Sequence, residues 1–158
     1  LDRVNLRHQT KPEAIFKNII HQGEFFDVTL CNPPFYASAD EAHTANQLKN
    51  KHLHPHKTVK NNRNFGGQPK ELWYPGGEET FVRQMISEST LYQDQCFWFT
   101  TLISRQSHVR RAHIALEKVG AKEINILPMG QGNKTSRILA WTFLTVGQQR
   151  EWAKKRCK

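Results

Sequence analysis

The chain has 158 residues, of which 37% are hydrophobic and 23% are charged, and this is enough for one globular domain with a hydrophobic core. The net charge of +9 and the pI near 9.7 favour a polyanionic partner, above all nucleic acid. No apolar run approaches the length of a membrane span, and Cys31, Cys96 and Cys157 lack the spacing of a metal site. We therefore expect a cytoplasmic protein with reduced cysteines, no metal and no membrane segment.

The first predicted elements are a short strand and a helix. Residues 4–6 resemble a strand that leads into a loop, and because the chain does not open with Met, we expect it to begin inside a domain. Thr10 and Glu13 have the spacing of a capping box, and the apolar residues that follow predict a helix from about residue 11 to residue 20. Gly23 would end this helix.

A strand predicted over residues 25–31 ends abruptly in Asn32-Pro33-Pro34-Phe35. Two prolines have no N–H to continue a ladder, so the strand stops at Asn32. The side-chain oxygen of Asn32 and the carbonyl of Pro33 can accept hydrogen bonds from an exocyclic amine, while Phe35 can stack on the ring that bears it. The stretch thus favours recognition of a planar group with an amine. The alternative is an ordinary strand exit at two prolines.

Residues 37–67 are polar and basic, show little periodicity and are too many for a simple connection in a compact domain. They predict a substrate loop whose cations contact the phosphates of a nucleic acid, with a solvated insertion as the alternative. The histidines of His52-x-His54-x-His56 are not expected to bind a metal, because no cysteine or carboxylate lies at convincing spacing. The cations assigned to binding are Lys49, Lys51, Lys57, Lys60 and Arg63.

Helices and strands alternate along the rest of the chain. The apolar run over residues 95–103 predicts a central strand that is covered on both sides. Lys134 and Arg137 lie in a basic loop between the last two strands and are further candidates for nucleic-acid contact. Arg105 and its basic neighbours could bind phosphate or simply face water. The predicted elements are a helix over 78–89, a strand over 95–103, a helix over 107–119 that Gly120 ends, strands over 123–129 and 138–144, and a basic helix over 148–158.

This order of elements predicts a doubly wound α/β sheet, with ligands at the carboxyl ends of its strands. We expect residues 1–158 to form a single, partial domain and residues 37–67 to be its basic substrate loop.

Asn-Pro-Pro-Phe after a β-strand resembles the motif of amino-methyltransferases that use S-adenosylmethionine and act on adenine, cytosine or glutamine. Taken with the glycine-containing motifs, the chain resembles the bacterial large-subunit ribosomal RNA adenine-N6 methyltransferase family. It is similar, more distantly, to the eukaryotic methyltransferase that modifies a spliceosomal small nuclear RNA. The motifs are Cys31–Phe35, Asn64–Gly67, Glu71–Trp73, Gly76–Glu78, Gly130–Gly132 and Ala140–Phe143.

The resemblance implies the C-terminal part of a Rossmann-like (class I) methyltransferase sheet, with an antiparallel terminal hairpin. The N-terminal cofactor-binding strands are not found in these residues, which would leave the strand before Asn32 with an unpaired edge. The resemblance also implies S-adenosylmethionine as cofactor, contacted by Asn32 and Pro33, and a 23S ribosomal RNA adenine as substrate. Asn32, Pro33, Pro34 and Phe35 would form the catalytic segment. Gln9 departs from the pattern, since many relatives place an acid or a small polar residue near there, against the cofactor adenine.

Two alternatives stay open. A DNA adenine or protein glutamine N-methyltransferase shares the Asn-Pro-Pro-aromatic motif, so the acceptor is not fixed by it. A non-catalytic RNA-binding fragment would also fit this chain if the cofactor-binding strands are absent.

Overall fold

The structure is a computed structural model that describes residues 4–44, 71–131 and 134–156. No helix in these ranges is long and apolar enough to cross a membrane. Residues 39–44 are helical. The further elements are, in chain order, β1 (Phe26–Val28), α1 (Gly77–Ser89), a 3₁₀ turn (Thr90–Tyr92), β2 (Cys96–Ile103), α2 (Gln106–Lys118), β3 (Glu123–Gln131), β4 (Lys134–Thr142) and α3 (Val146–Arg156).

The four strands form one sheet in the order β1-β2-β4-β3. β1 and β2 are parallel, whereas β4 runs antiparallel to both β2 and β3. This is the Rossmann-like arrangement with an antiparallel terminal hairpin that the sequence predicts. Among the described residues β1 pairs on one side only, so the expected unpaired edge is present.

The chain divides into two compact units. The first consists of the residues up to Asn32 and from Val82 onward, and it contains the whole sheet. The second runs from Pro33 to Phe81. The assignment of residues 1–158 to one partial domain stays a prediction.

The core of the first unit surrounds β2. The fully buried ring of Phe99 lies 5.4 Å from the ring of Phe16 and 5.7 Å from that of Trp141, measured between centroids. The buried indole N–H of Trp141 donates to the Ser89 hydroxyl at 3.1 Å, so its polar atom is satisfied inside the core. The predicted central strand over residues 95–103 is thereby confirmed.

α2 packs on this core with the face that its sequence predicts. Val109, Ala112 and Leu116 are buried, and they recur at the spacing of one helical face. The helix ends before Gly120, whose φ of +80° lies in the left-handed region that glycine adopts without strain.

The terminal hairpin is longer than predicted. The loop expected over residues 130–137 is wrong, because Gly130 pairs with Thr135 and Gln131 with Lys134. Backbone pairing between antiparallel strands does not require apolar side chains, so this polar stretch joins the ladder. The predicted C-terminal helix is confirmed as α3.

β1 is shorter and less covered than the strand predicted over residues 25–31. Beyond Val28, side chains partly replace the regular ladder: the Thr29 hydroxyl accepts from the Thr100 N–H at 3.2 Å, and the Thr100 hydroxyl donates to the Thr29 carbonyl. Val28 is 50% exposed and Leu30 83%. Of the strand predicted over residues 25–31, only Phe26–Val28 forms a regular strand.

The helix predicted over residues 11–20 is also wrong, since the segment forms turns. The backbone N–H groups of Ile15, Phe16 and Lys17 donate to the carboxylate of Glu88 at 2.6–2.9 Å. Glu88 is almost fully buried. Amides that all converge on one carboxylate cannot also serve an i to i−4 ladder, so this distant contact overrides the local helix pattern.

The short strand predicted over residues 4–6 is absent as well. No described strand pairs with it, and Leu6 is 91% exposed. Side chains hold the chain that follows: Arg7 forms an ion pair with Glu24 and donates to the carbonyl of Ile19. The hydrogen bond from Arg7 lowers the pKa of Glu24 to about 2.

Replacing Glu88 by Gln should lower the free energy of unfolding by about 2 kcal/mol, because the amide keeps one acceptor oxygen and leaves a buried N–H unsatisfied. Urea unfolding followed by circular dichroism measures the change. Glu117→Gln on α2, where the carboxylate is exposed, is the control and should cost less than about 0.5 kcal/mol. Equal stability of the two variants would show that the Glu88 carboxylate does not hold residues 15–17.

Candidate active site

Asn32 lies at the carboxyl end of β1. The residue before it is fixed, because Cys31 forms a parallel bridge with Thr101 and its carbonyl accepts from the N–H of Leu102 at 2.9 Å. Asn32 itself is exposed, and no described residue forms a hydrogen bond with its side-chain amide. Open α/β sheets bind ligands at the carboxyl ends of their strands, so this amide stands where a ligand would meet the sheet.

The three residues after Asn32 differ sharply in exposure. Pro33 is less than 2% exposed and Pro34 is half-buried, whereas Phe35 is 48% exposed. The proline rings fix φ and donate no hydrogen bond, which gives the segment a stiff course. A large aromatic ring that stays half in water at such a place offers a face on which a planar group can stack.

In the second unit, the residue after Phe35 is anchored by backbone pairing. The N–H of Tyr36 donates to the carbonyl of Leu72 at 3.2 Å, and the N–H of Tyr74 donates to the carbonyl of Tyr36 at 3.0 Å. Tyr36 thereby forms an isolated parallel bridge with Trp73. The backbone that carries the Phe35 ring is therefore held on its C-terminal side.

The turn before α1 requires its glycines. Gly76 has a φ of +82° and Gly77 a φ of +70°, and a Cβ on Gly76 would lie 2.3 Å from the hydroxyl of Thr80. The N–H of Gly77 closes the turn by donating to the carbonyl of Tyr74 at 2.7 Å. Gly76 and Gly77 thus form a tight turn at the start of α1. The second pair, Gly66 and Gly67, lies outside the described residues.

Residues 1–145 match a family described as RNA methyltransferase. The chain belongs to this family. The resemblance inferred from Asn32–Phe35 and from the glycine-containing motifs is confirmed.

Curated relatives within this RNA methyltransferase family are close in sequence. The ribosomal RNA large subunit methyltransferase F of Cytophaga hutchinsonii is 48% identical over 155 residues, a match that covers 98% of this chain and 48% of the relative. The protein of the same name from Cronobacter sakazakii is 45% identical over 155 residues, covering 98% of this chain and 50% of its own. The chain thus spans about half the length of these curated relatives.

Solved structures show that the family fold is present. The catalytic domain of hMettl16 in complex with the MAT2A 3′UTR hairpin 1 superposes with a TM-score of 0.58 at 22% identity, covering 80% of this chain and 42% of that one. The N-terminal domain of human METTL16 in complex with SAH gives 0.53 at 17% identity, covering 82% and 38%. The Rossmann-like methyltransferase fold predicted from the sequence is therefore confirmed.

Two of the residues predicted to bind RNA lie in the described part of this methyltransferase family member. Lys134 is the first residue of β4, and the half-buried Arg137 is paired with Ile103 of β2. β1 lies on the other side of β2, where Cys31 bridges Thr101. Asn32 and Arg137 thus lie at the same edge of the sheet. Their backbones are roughly 10 Å apart, because β2 lies between β1 and β4 and neighbouring strands are about 4.8 Å apart.

The other predicted RNA contacts fall within residues 45–70 and lie outside the described residues, together with the His52-x-His54-x-His56 motif. They are Lys49, Lys51, Lys57, Lys60 and Arg63.

Gln9, which departs from the family pattern, is occupied within its own segment. Its amide N–H donates to the carbonyl of Lys17 at 2.7 Å, and its amide oxygen accepts from the N–H of Lys11 at 3.0 Å. The Gln9 side chain therefore links Lys11 to Lys17 in the turn-rich segment, whose residues 15–17 donate to Glu88.

The sequence interpretation missed the anchoring of α3. The Trp152 ring stacks on that of Phe97 at 5.8 Å, and its indole N–H donates to the carboxylate of Asp27 in β1 at 2.7 Å. Arg156 joins the same carboxylate at 3.3 Å. An aromatic residue in an otherwise polar helix is the signal that could have indicated this contact. Because Phe97 is the second residue of β2 and Asp27 lies within β1, α3 is anchored at the edge of the sheet opposite Asn32.

The described thiols are not activated. Burial raises the pKa of Cys96 to about 12, and burial also raises the pKa of Cys31, partly offset by a hydrogen bond with Thr101. The thiolate is the nucleophilic form, so neither cysteine is suited to covalent catalysis near neutral pH.

At pH 8, alkylation of Cys96 by iodoacetamide should be at least about a hundredfold slower in the folded protein than in urea, because a raised pKa leaves little thiolate and burial limits access. Peptide mapping by mass spectrometry follows each cysteine separately. Equal rates for Cys96 in the folded and the unfolded protein would contradict its burial in β2.

Proposed function

We propose that the chain is part of an S-adenosylmethionine-dependent methyltransferase that modifies N6 of an adenine in 23S ribosomal RNA. The observation that carries the proposal is the exposed amide of Asn32 at the carboxyl end of β1, directly before Pro33 and the half-exposed ring of Phe35. The names of the curated relatives and the RNA hairpin bound in the hMettl16 complex support an RNA substrate.

The amine of the target base would be held by two acceptors. The side-chain oxygen of Asn32 and the carbonyl of Pro33 each accept one N–H, which draws the nitrogen lone pair out of conjugation with the ring. Phe35 stacks on the base and fixes its plane. Most of the acceleration would come from this positioning, and no general base is needed before transfer, because the amine proton becomes acidic only afterwards.

The cofactor, when bound, supplies the methyl group as part of a sulfonium. Asn32 and Pro33 are the residues of this chain that would hold it. The amide of Asn32 fits that role, because it is exposed, carries two donors as well as an acceptor, and has no hydrogen-bond partner among the described residues.

The RNA would present its adenine outside a base stack. An enzyme that acts on an exocyclic amine takes the base from a loop or flips it, and this costs a few kcal/mol that stacking on an aromatic ring offsets in part. Lys134, Arg137 and the basic residues of the 37–67 segment would contact the phosphates on either side.

Replacing Asn32 by Ala should abolish methyl transfer while RNA affinity changes less than about twofold, because the amide contacts only the reacting amine and the cofactor. Tritiated methyl transfer from S-adenosylmethionine to unmodified ribosomal RNA measures the first quantity, and filter binding the second. Asn125→Ala on β3 is the matched control, because among the described residues this amide bonds only to exposed Glu123.

Loss of both methyl transfer and RNA binding in Asn32→Ala would show that Asn32 has a structural role. DNA and protein acceptors are offered in competition, and labelling of either in preference to RNA would overturn the RNA substrate. The relative from Cytophaga hutchinsonii is assayed alongside; methylation by that protein but not by this chain would leave RNA binding as the chain's own function.

Replacing Phe35 by Leu should lower kcat/KM by an amount equivalent to about 1–3 kcal/mol through lost stacking on the base. Phe25→Leu is the matched control, since Phe25 is 53% exposed and contacts Trp152 at the opposite edge of the sheet. An undiminished rate in Phe35→Leu would remove this ring from the site.

A further inference from the structure

The first unit carries cations at both edges of its sheet. We call the edge that bears Asn32 the carboxyl edge; Arg105 and Arg137 lie there. β2 links them, since Leu102 and Thr101 contact Cys31 on one side while Ile103 is paired with Arg137 on the other. Arg105 follows β2 by two residues and opens α2.

The backbone conformation and the carbonyl hydrogen bonds of Arg105 fix its position, and its side chain takes no part in this. Its φ of −106° and ψ of 132° are extended, and its carbonyl accepts from the N–H groups of His108 and Val109 at 3.1 and 3.4 Å. The residue is exposed, and its guanidinium has no ion-pair or hydrogen-bond partner among the described residues. The side chain is therefore available to a ligand at a fixed point of the carboxyl edge.

Part of the positive charge at the opposite edge is compensated. On α3, Arg156 pairs with Asp27 at 3.3 Å and Lys154 pairs with Glu151 at 2.8 Å, whereas Arg150 and Lys155 pair with no described carboxylate. Within the described residues, neither Arg105 nor Arg137 pairs with a carboxylate. Uncompensated positive charge thus remains beside Asn32, where a polyanionic substrate would bring its backbone.

We propose that Arg105 binds a backbone phosphate of the RNA substrate together with Arg137, next to the nucleotide whose base reaches Asn32. The inference rests on the proposed function and adds a phosphate contact to it. Guanidinium groups suit this role, because their planar donors bind two phosphate oxygens at once. The contact sets the register of the RNA on the carboxyl edge and carries no base specificity of its own.

The test compares charge removal at the two edges. Arg105→Gln and Arg137→Gln are measured against Arg150→Gln and Lys155→Gln, which remove one exposed cation each from α3. Filter binding to unmodified ribosomal RNA is followed between 50 and 200 mM salt. The carboxyl-edge variants should each bind about fivefold more weakly and reduce the slope of log K against log salt by about 1. The α3 variants should change affinity less than about twofold.

Further variants separate a lost contact from misfolding. Arg105→Lys should keep the salt slope of the unmodified protein but regain only part of the affinity, because an ammonium group lacks the two-oxygen geometry. Circular dichroism of Arg105→Gln should match that of the unmodified protein. If Arg105→Gln and Arg150→Gln weaken binding equally, the inference is overturned while the proposed function stands. A salt slope near zero in the unmodified protein would instead remove the RNA substrate itself.

Discussion

The parallel pairing of β1 with β2 is the contact on which the candidate site depends. β2 is the buried centre of the sheet, and it holds β1 through ladder hydrogen bonds, through the side chains of Thr29 and Thr100, and finally through Cys31. The last of these contacts immediately precedes Asn32. Without the pairing, no other described strand would define where the Asn32 amide lies.

The chemistry of the site follows from the absence of regular strand pairing in the segment after β1. Pro33 and Pro34 have no backbone N–H that could donate to a neighbouring strand. The Asn32 amide before them and the Phe35 ring after them are exposed. Groups that would ordinarily be buried or hydrogen-bonded inside the protein are thereby left for a ligand. The prolines end the ladder, and the exposed amide and ring next to them remain available to a ligand.

The sequence predicts those parts of the fold that local pattern determines. The central strand and α2 follow from an apolar run and from the spacing of Val109, Ala112 and Leu116, and the Asn-Pro-Pro-Phe segment follows from proline chemistry. The helix expected over residues 11–20 fails because Glu88, more than seventy residues away, claims its amides. The anchoring of α3 on Asp27 is of the same kind, since it joins residues separated by 125 positions. No local pattern encodes such contacts, and the basic residues between 45 and 70 stay predictions.

The long separation between paired segments has a consequence for how the molecule assembles. β3 and β4 are consecutive strands of one hairpin, and α2 forms from local hydrogen bonds. The contact between Thr29 and Thr100, in contrast, joins residues that are 71 positions apart. Closing a longer loop costs more conformational entropy, and non-local strand pairing slows folding. We therefore expect β1 to be the last strand to join the sheet and the first to leave it. Order at Asn32 would then be gained at the end of folding, after the rest of the sheet has formed.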